Sequence, residues 1–231
     1  ISNLVLAIYA FNMFFMLALS IWYWCASAPP LVSLAAADWP NVLVQLPIFN
    51  ERYVVERLID ATVALDYPAD RIIIQVLDDS TDDTSALAEA RVVYHRARGH
   101  RIEYHHRAER TGYKAGALAA GLATAPGEFV ALFDADFVPT PDFLRRLIPE
   151  FTGHPRLGMV QARWGHLNAE QNMVTRAMML AVDSFFTVDQ VARSGAGLFM
   201  NFNGSACILR RACIEDAGGW HRRPGLDREV P

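Results

Sequence analysis

The sequence predicts an α/β domain with an open, mostly parallel β-sheet, preceded by one transmembrane helix. Three observations support this fold class. An uncharged apolar run opens the chain, short apolar runs alternate with helix-like segments after it, and 231 residues suit one mid-sized domain. Strands that alternate with helices in this way indicate βαβ units, and ligands of such sheets lie outside the carboxyl ends of the strands.

The N-terminal run is free of charge from Ile1 to Ala37, and the first charged residue is Asp38. About 20 apolar residues span the ~30 Å hydrocarbon layer of a bilayer, and the stretch 4–26 exceeds that length. A signal peptide would have a basic start and a shorter apolar core, and a buried helix would rarely be apolar on every face. The run ends in the residues of an interfacial aromatic belt, Trp22, Tyr23 and Trp24. We therefore predict a transmembrane helix over residues 1–28.

A short linker rich in proline and alanine, residues 29–39, leads to a domain predicted over residues 40–231. The segment 72–77 (IIIQVL) is β-branched without alternation, which is typical of a strand buried on both faces in a parallel sheet. The predicted elements follow in order: strand 41–46, helix 51–65, strand 72–77, helix 84–98, polar strand 101–106, helix 115–123 and strand 129–133.

Composition and charge exclude some classes of function. The net charge is −4 with acidic and basic residues interspersed, which argues against a nucleic-acid partner. The three cysteines, Cys25, Cys207 and Cys213, show neither C-x-x-C spacing nor a zinc-type histidine partner, and indicate reduced thiols. The histidines at 95, 100, 105 and 106 favour a solvated face over a zinc site.

Two aspartates follow the strand 129–133. Asp134 and Asp136 are two positions apart in extended backbone, so both carboxylates face the same side and can hold one ion. Hard oxygen ligands suit Mg²⁺ or Mn²⁺, and either metal would neutralise charge on a diphosphate. Alone, this spacing is a weak signal that more often marks two solvated turn residues. The position at the end of a buried strand favours the metal site.

Asp78 and Asp79 follow the preceding apolar strand, where a carboxylate can accept hydrogen bonds from a nucleobase or a ribose. A helix N-cap is the alternative role, and Asp82 or Asp83 suits it better. Lys114 is the single lysine of a chain otherwise rich in arginine, which hints at a need for a compact ammonium. It lies in a glycine-flanked turn that enters a helix, a reasonable site for phosphate.

Six segments, taken in order, resemble the family 2 glycosyltransferases. Four occur across the family, and the last two are closer to the cellulose-synthase-like branch, which includes plant mannan and glucan synthases. The segments are 47–51 (PIFNE), 77–82 (LDDSTD), 112–118 (GYKAGAL), 133–137 (FDADF), 160–164 (VQARW) and 202–205 (FNGS). The resemblance runs from about Pro40 to Trp220.

The resemblance implies a GT-A-type, Rossmann-like sheet and a membrane-bound enzyme of the inner (cell) membrane with its catalytic domain in the cytosol. The implied reaction is an inverting transfer of a hexose from UDP-glucose or GDP-mannose to a β-glycan acceptor. Residues matching the family's donor-nucleotide pocket are Pro47, Phe49, Glu51, Asp78, Asp79 and Lys114, with Asp79 at the nucleobase and Lys114 near the diphosphate. Asp134 and Asp136 match the pair that binds Mg²⁺ or Mn²⁺. The residues implied on the acceptor side are Trp164, Phe202, Asn203, Gly204 and Ser205.

One departure concerns the family's general base, an aspartate in a T-E-D motif just after the G-G-W matched by residues 218–220. No T-E-D and no Q-x-x-R-W, the family's acceptor clamp, occur in the printed sequence, and Asp227 stands in an unrelated context. We therefore expect a truncated or frame-shifted chain that binds donor but turns over little, because a general base contributes about 10²–10⁴-fold.

Three other functions stay open at this point. A glycolipid-forming diacylglycerol glucosyltransferase would share these motifs, with a lipid as its acceptor. A fragment that only binds nucleotide sugar fits the missing base. A nucleotidyltransferase fits less well, because it would need a glycine-rich basic loop directly after the first strand, where residues 47–51 stand.

Overall fold

The computed structural model describes residues 2–24, 34 and 39–220. These residues form two compact units. The helical unit contains residues 2–24 and 162–203, and the sheet unit contains residues 34, 39–161 and 204–220. Most of the predicted linker and the segment 221–231, with Asp227, lie outside the described residues. The prediction of one domain over 40–231 stays a prediction, and residues 162–203 pack with the N-terminal helix.

The sheet unit is built on six strands in the order β3-β2-β1-β4-β6-β5. The first four strands of that order are parallel, and β6 is antiparallel to both β4 and β5. The strands are β1 Val42–Ile48, β2 Ile72–Asp78, β3 Ile102–His106, β4 Phe129–Leu132, β5 Met159–Gln161 and β6 Cys207–Arg210. The predicted α/β class with a mostly parallel sheet is therefore confirmed.

The described residues of the two units contain eight α-helices. The predicted helix 51–65 begins later than expected, at Val55, because Asn50 has a left-handed φ of 57° and the chain turns before the helix starts. The helices are α1 Ser2–Trp24, α2 Val55–Val63, α3 Thr84–Arg96, α4 Tyr113–Thr124, α5 Phe143–Gly153, α6 Met173–Ser184, α7 Val191–Gly195 and α8 Arg211–Asp216.

β1 runs further than predicted, through Pro47 to Ile48. Its pairing with β4 stops at Gln45, so beyond that point β1 has a hydrogen-bonded neighbour on one side only, β2. A proline lacks the N–H that a central strand must donate, but it is tolerated where one side of the strand is open. The extra residues carry β1 to the edge where the candidate site lies.

The core of the sheet contains two buried glutamines, Gln45 on β1 and Gln75 on β2, which lie opposite each other. Gln45 Nε2 donates to Gln75 Oε1 at 3.2 Å and to the Leu118 carbonyl of α4, also at 3.2 Å. Gln75 Nε2 donates to Thr124 Oγ1 at 3.0 Å. These bonds tie α4 to the sheet, since Leu118 and Thr124 belong to α4 and both glutamines belong to strands.

Gly121 of α4 lies directly over this pair. A Cβ atom there would be 2.7 Å from Gln45 Nε2 and 2.7 Å from Gln75 Oε1. We expect Gly121→Ala to lower the free energy of unfolding by about 1–3 kcal/mol, the usual cost of overpacking a core. Urea unfolding of the detergent-solubilised chain measures this change. Gly165→Ala is the matched control, because nothing lies within 4 Å of its Cβ position, and equal losses for the two variants would contradict the steric explanation.

The helical unit joins α1 to a run of helix in which α6, a π-helix at Phe185–Gln190 and α7 follow one another without a break. α1 packs against the π-helix and α7 and buries Met16 and Ser20. A Cβ atom on Gly195 would lie 2.3 Å from the Tyr23 ring, so the glycine permits this close helix contact. The other faces of α1 expose large apolar side chains, and by length and composition α1 is a candidate membrane span.

Candidate active site

A cavity of about 350 Å³ opens in the sheet unit where β1, β2 and β4 end. Parallel strands bring their carboxyl ends to one edge of a sheet, so the polar residues after each strand meet there. Arg110 and several apolar residues line this cavity together with seven of the eight predicted donor and metal residues. Those seven are Pro47, Phe49, Glu51, Asp79, Lys114, Asp134 and Asp136.

The loops after β1 and β2 are fastened to each other by polar contacts. The Asn50 backbone N–H donates to Ser80 Oγ at 2.9 Å, and the Thr81 N–H donates to Asn50 Oδ1 at 2.9 Å. The Asp79 N–H also donates to the Ile48 carbonyl at 3.1 Å. These bonds place Phe49 and Asp79 on neighbouring walls of the cavity.

Asp79 is held by an arginine that the sequence did not single out. Arg107 donates from Nε to Asp79 Oδ1 at 2.7 Å and from an Nη to Oδ2 at 2.6 Å, and the Asp79 side chain is only 4% exposed. Arg110 lies at 3.9 Å from Asp79 and its guanidinium covers the Phe49 ring at 3.5 Å. This wall of the cavity therefore combines a hydrogen-bond acceptor fixed in place, Asp79, with the Arg110 guanidinium and the Phe49 ring.

Asp78 does not line the cavity. Its carboxylate is fully buried and accepts from the Ser80 N–H at 2.8 Å, Ser85 Oγ at 2.6 Å and the Tyr104 hydroxyl at 2.7 Å. Burial alone would raise the pKa of Asp78, but these hydrogen bonds outweigh it and hold that pKa below its ordinary value. The geometry therefore gives Asp78 the work of fixing the loop that carries Asp79, and its predicted contact with a nucleotide stays a prediction.

The predicted metal pair lies at the end of β4. The Asp134 N–H donates to the buried Ser205 Oγ at 2.8 Å, which fixes the backbone of the pair, and the Asp136 side chain is exposed. Partial burial, then repulsion from Asp136 and Asp134, raises the pKa of Glu51 across the cavity. A cation would relieve this excess of negative charge.

The carboxylates at this edge suit a divalent metal ion whose remaining coordination positions are filled by a bound ligand. In the part of the chain that the structure describes, no cluster of three or more histidine, cysteine or acidic residues is arranged to hold a metal by itself. Mg²⁺ is ordinarily held by one or two carboxylates plus substrate phosphates and water, which matches two aspartates beside an open cavity.

Lys114 lies in the first turn of α4, beside the predicted metal pair. Its ammonium donates to the Asp134 carboxylate and to the Gly204 carbonyl, the latter at 2.8 Å. Gly112 and Tyr113 before it have left-handed φ values of 74° and 49°, so a tight turn aims the side chain into the cavity. The structure thus brings the lysine to Asp134, a pairing that sequence spacing did not predict.

The residues predicted on the acceptor side are divided between the two units. In the sheet unit Ser205 is buried, and Gln161 Nε2 donates to its carbonyl at 2.8 Å. In the helical unit Trp164 and Asn203 line a separate cavity of about 370 Å³, with the Trp164 ring 5.5 Å from that of Phe186. Phe202 is 43% exposed. Their role at an acceptor stays a prediction.

The prediction of a solvated histidine face is wrong for His95. That side chain is buried, and its Nε2 lies 2.7 Å from Asp60 Oδ1, while Arg91 contacts both oxygens of the same carboxylate. His95 and Arg91 lie on the face of α3 that packs against α2, which carries Asp60. The contact between these two helices therefore buries His95, which the sequence pattern placed at the surface.

A mixed, mostly parallel sheet with a carboxylate-lined cavity at the ends of its strands is the arrangement of GT-A glycosyltransferases. Residues 44–217 match the family described as "Glycosyl transferase family 2", and the chain belongs to this family.

The named relatives are plant enzymes. The chain is 45% identical to glucomannan 4-beta-mannosyltransferase 2 of Arabidopsis thaliana over 198 residues. This matched region covers 84% of the chain and 37% of the relative. The chain is 44% identical over 193 residues to glucomannan 4-beta-mannosyltransferase 1 of Cyamopsis tetragonoloba, covering 82% and 37%. The chain therefore spans little more than a third of these relatives.

Among solved structures, the chain is similar to the mannosyltransferase PcManGT of Pyrobaculum calidifontis, determined in complex with GDP-Man and Mn²⁺. The TM-score is 0.66 at 26% identity, over 91% of this chain and 57% of that one. This similarity, with the sheet topology, establishes the GT-A-type fold.

Proposed function

We propose that the chain carries the donor site of a membrane-bound, inverting glycosyltransferase that moves a hexose from a nucleotide sugar to a β-glycan. The observation that carries the proposal is the cavity at the ends of β1, β2 and β4. Its wall at Asp79 suits a nucleobase, and its wall at Lys114, Asp134 and Asp136 suits a diphosphate with a metal ion.

In this proposal the base lies beside the stacked Phe49 and Arg110 side chains, and Asp79, held as an acceptor by Arg107, receives hydrogen bonds from it. Asp134 and Asp136 hold Mg²⁺ or Mn²⁺, which supplies charge neutralisation for the departing nucleoside diphosphate. Lys114 lies within reach of the same phosphates and contributes a compact positive charge.

GDP-mannose is the donor that the comparisons favour, because two relatives are named as glucomannan mannosyltransferases and the solved mannosyltransferase was bound to GDP-Man. The same names favour a β-glycan over a lipid acceptor. Trp164 and the segment Phe202–Ser205 are the residues we propose on the acceptor side. α1 is proposed to span the cell membrane, with the donor cavity on the cytosolic side, where nucleotide sugars are made.

Equilibrium binding of radiolabelled GDP-mannose and UDP-glucose to carbonate-washed membranes that contain the chain tests this proposal. We expect saturable binding with Mn²⁺, loss of binding with EDTA, and tighter binding of GDP-mannose. Transfer to β-1,4-mannan oligosaccharides, assayed in parallel, is expected to be low, because Asp79, Asp134 and Asp136 are occupied by donor and metal and none is free to act as general base.

Each measurement in this experiment has an outcome that would contradict one part of the proposed function. Metal-independent binding, or none, contradicts the donor site. Release of the chain into the carbonate supernatant contradicts the membrane span. Efficient transfer by this chain contradicts the expected lack of a general base, and would indicate a base among the residues present.

A further inference from the structure

The ammonium of Lys114 lies where it neutralises one of the two carboxylates proposed to bind the metal. It donates to Asp134 Oδ1 and, at 2.8 Å, to the carbonyl of Gly204. Asp134 itself is fixed through its N–H to Ser205 Oγ. In the described residues Asp136 has no ion pair, so the positive charge is directed to one member of the pair.

From this arrangement we propose that Lys114 competes with the metal for Asp134 until a nucleoside diphosphate draws the ammonium away, so that metal and donor bind as a unit. The proposal rests on the proposed function, since it assigns a regulation to the same donor site. The mechanism requires that Lys114 pairs with Asp134 and Gly204 in the unliganded chain and that its side chain can turn into the cavity.

Electrostatics decide the direction of the effect. An ammonium and a divalent cation on the same carboxylate repel each other, and the lysine must leave or the metal binds weakly. A diphosphate in the cavity offers the ammonium new charge-assisted hydrogen bonds in exchange for those to Asp134 and Gly204.

The side chain can make this exchange without a change of backbone. Lys114 lines the cavity, its side chain is 40% exposed, and its four-carbon stem is flexible. Asp134 is 37% exposed, so the carboxylate is open to a metal once the ammonium leaves. The competition should therefore weaken metal binding without abolishing it.

Two affinities of the Lys114→Met variant distinguish this role from simple phosphate binding. Mn²⁺ alone, titrated by electron paramagnetic resonance at 0.15 M salt, should bind about five- to tenfold more tightly than to the wild type, because the competing charge is gone. GDP with saturating Mn²⁺ should bind about tenfold or more weakly, because a charge-assisted contact to phosphate is lost.

Matched variants separate charge from shape and from folding. Lys114→Gln should also tighten Mn²⁺ binding, whereas Lys114→Arg keeps the charge and should not. Arg110→Met removes a cation that lines the same cavity but contacts Asp79 and Phe49, so it should weaken GDP without tightening Mn²⁺.

Unchanged or weaker binding of free Mn²⁺ by both Lys114→Met and Lys114→Gln, with the fold intact by circular dichroism, would overturn the proposal. Failure of the proposed function is visible separately, as an absence of metal-dependent GDP binding by the wild type. The comparison of free Mn²⁺ affinities still decides the competition in that case.

Discussion

Replacement of Asp136 by alanine is expected to lower the affinity for a nucleoside diphosphate with Mn²⁺ by at least about 100-fold. Even outer partners of metal ligands are worth about 10–100-fold in metal affinity, and Asp136 is proposed as a ligand itself. Without it, the diphosphate would face Glu51 and Asp134 with little cation charge between them. Partial burial, and after it repulsion from Asp136 and Asp134, already raises the pKa of Glu51 at this edge. Isothermal titration calorimetry of GDP with Mn²⁺ and with EDTA measures the loss.

Two variants serve as controls for this result. Asp142→Ala removes a carboxylate that follows the same strand but does not line the cavity, and should leave GDP affinity unchanged. Asp79→Ala should weaken GDP but leave the affinity for Mn²⁺ with pyrophosphate largely intact, because the residues proposed to bind metal and diphosphate, Asp134, Asp136 and Lys114, are unchanged. Equal GDP affinity of the wild type in Mn²⁺ and in EDTA would count decisively against the metal pair.

The second large effect is expected on stability. Arg107→Met leaves the Asp79 carboxylate, 4% exposed, without its two short hydrogen bonds, and Arg110 at 3.9 Å is the remaining cation beside it among the described ion pairs. Removing one partner of a buried ion pair typically costs about 3–5 kcal/mol. Urea denaturation of the detergent-solubilised chain, followed by circular dichroism, should detect a loss of this size.

Arg145→Met is the matched control for Arg107→Met. Arg145 pairs with Asp66 at 2.6 Å, but the two side chains are 42% and 60% exposed, so the expected loss is below about 1 kcal/mol. A loss of similar size for Arg107→Met would contradict the prediction and would indicate that Arg110 moves in to replace the missing charge.

Much of the sheet and of the cavity could be predicted because the responsible signals are local. The short apolar segments became β1, β2 and β4, since such runs bounded by turn residues favour strands buried on both faces of a parallel sheet. The residues that follow a parallel strand must lie at its carboxyl edge, so Asp79, Asp134 and Asp136 met in one cavity as their positions predicted.

The secondary structure after residue 133 could not be predicted in detail from the sequence, because the strands and helices there show only weak local patterns. β5 and β6 have three and four residues, too few to show a period, and they join the sheet antiparallel to their neighbours. The π-helix at Phe185–Gln190 depends on a hydrogen-bond pattern that side-chain periodicity does not reveal.

By itself, then, the sequence determined the fold class, the candidate membrane helix and which carboxylates reach the edge of the sheet, since spacing and hydrophobicity dictate these along the chain. Only the tertiary structure decided which charges pair. Arg107 meets Asp79 across 28 positions, and Gly204 accepts from Lys114 across 90. Nor could spacing tell Asp78 from Asp79. The fold buries Asp78, the last residue of β2, among Ser80, Ser85 and Tyr104, whereas Asp79, which follows the strand and is held by Arg107, lines the cavity.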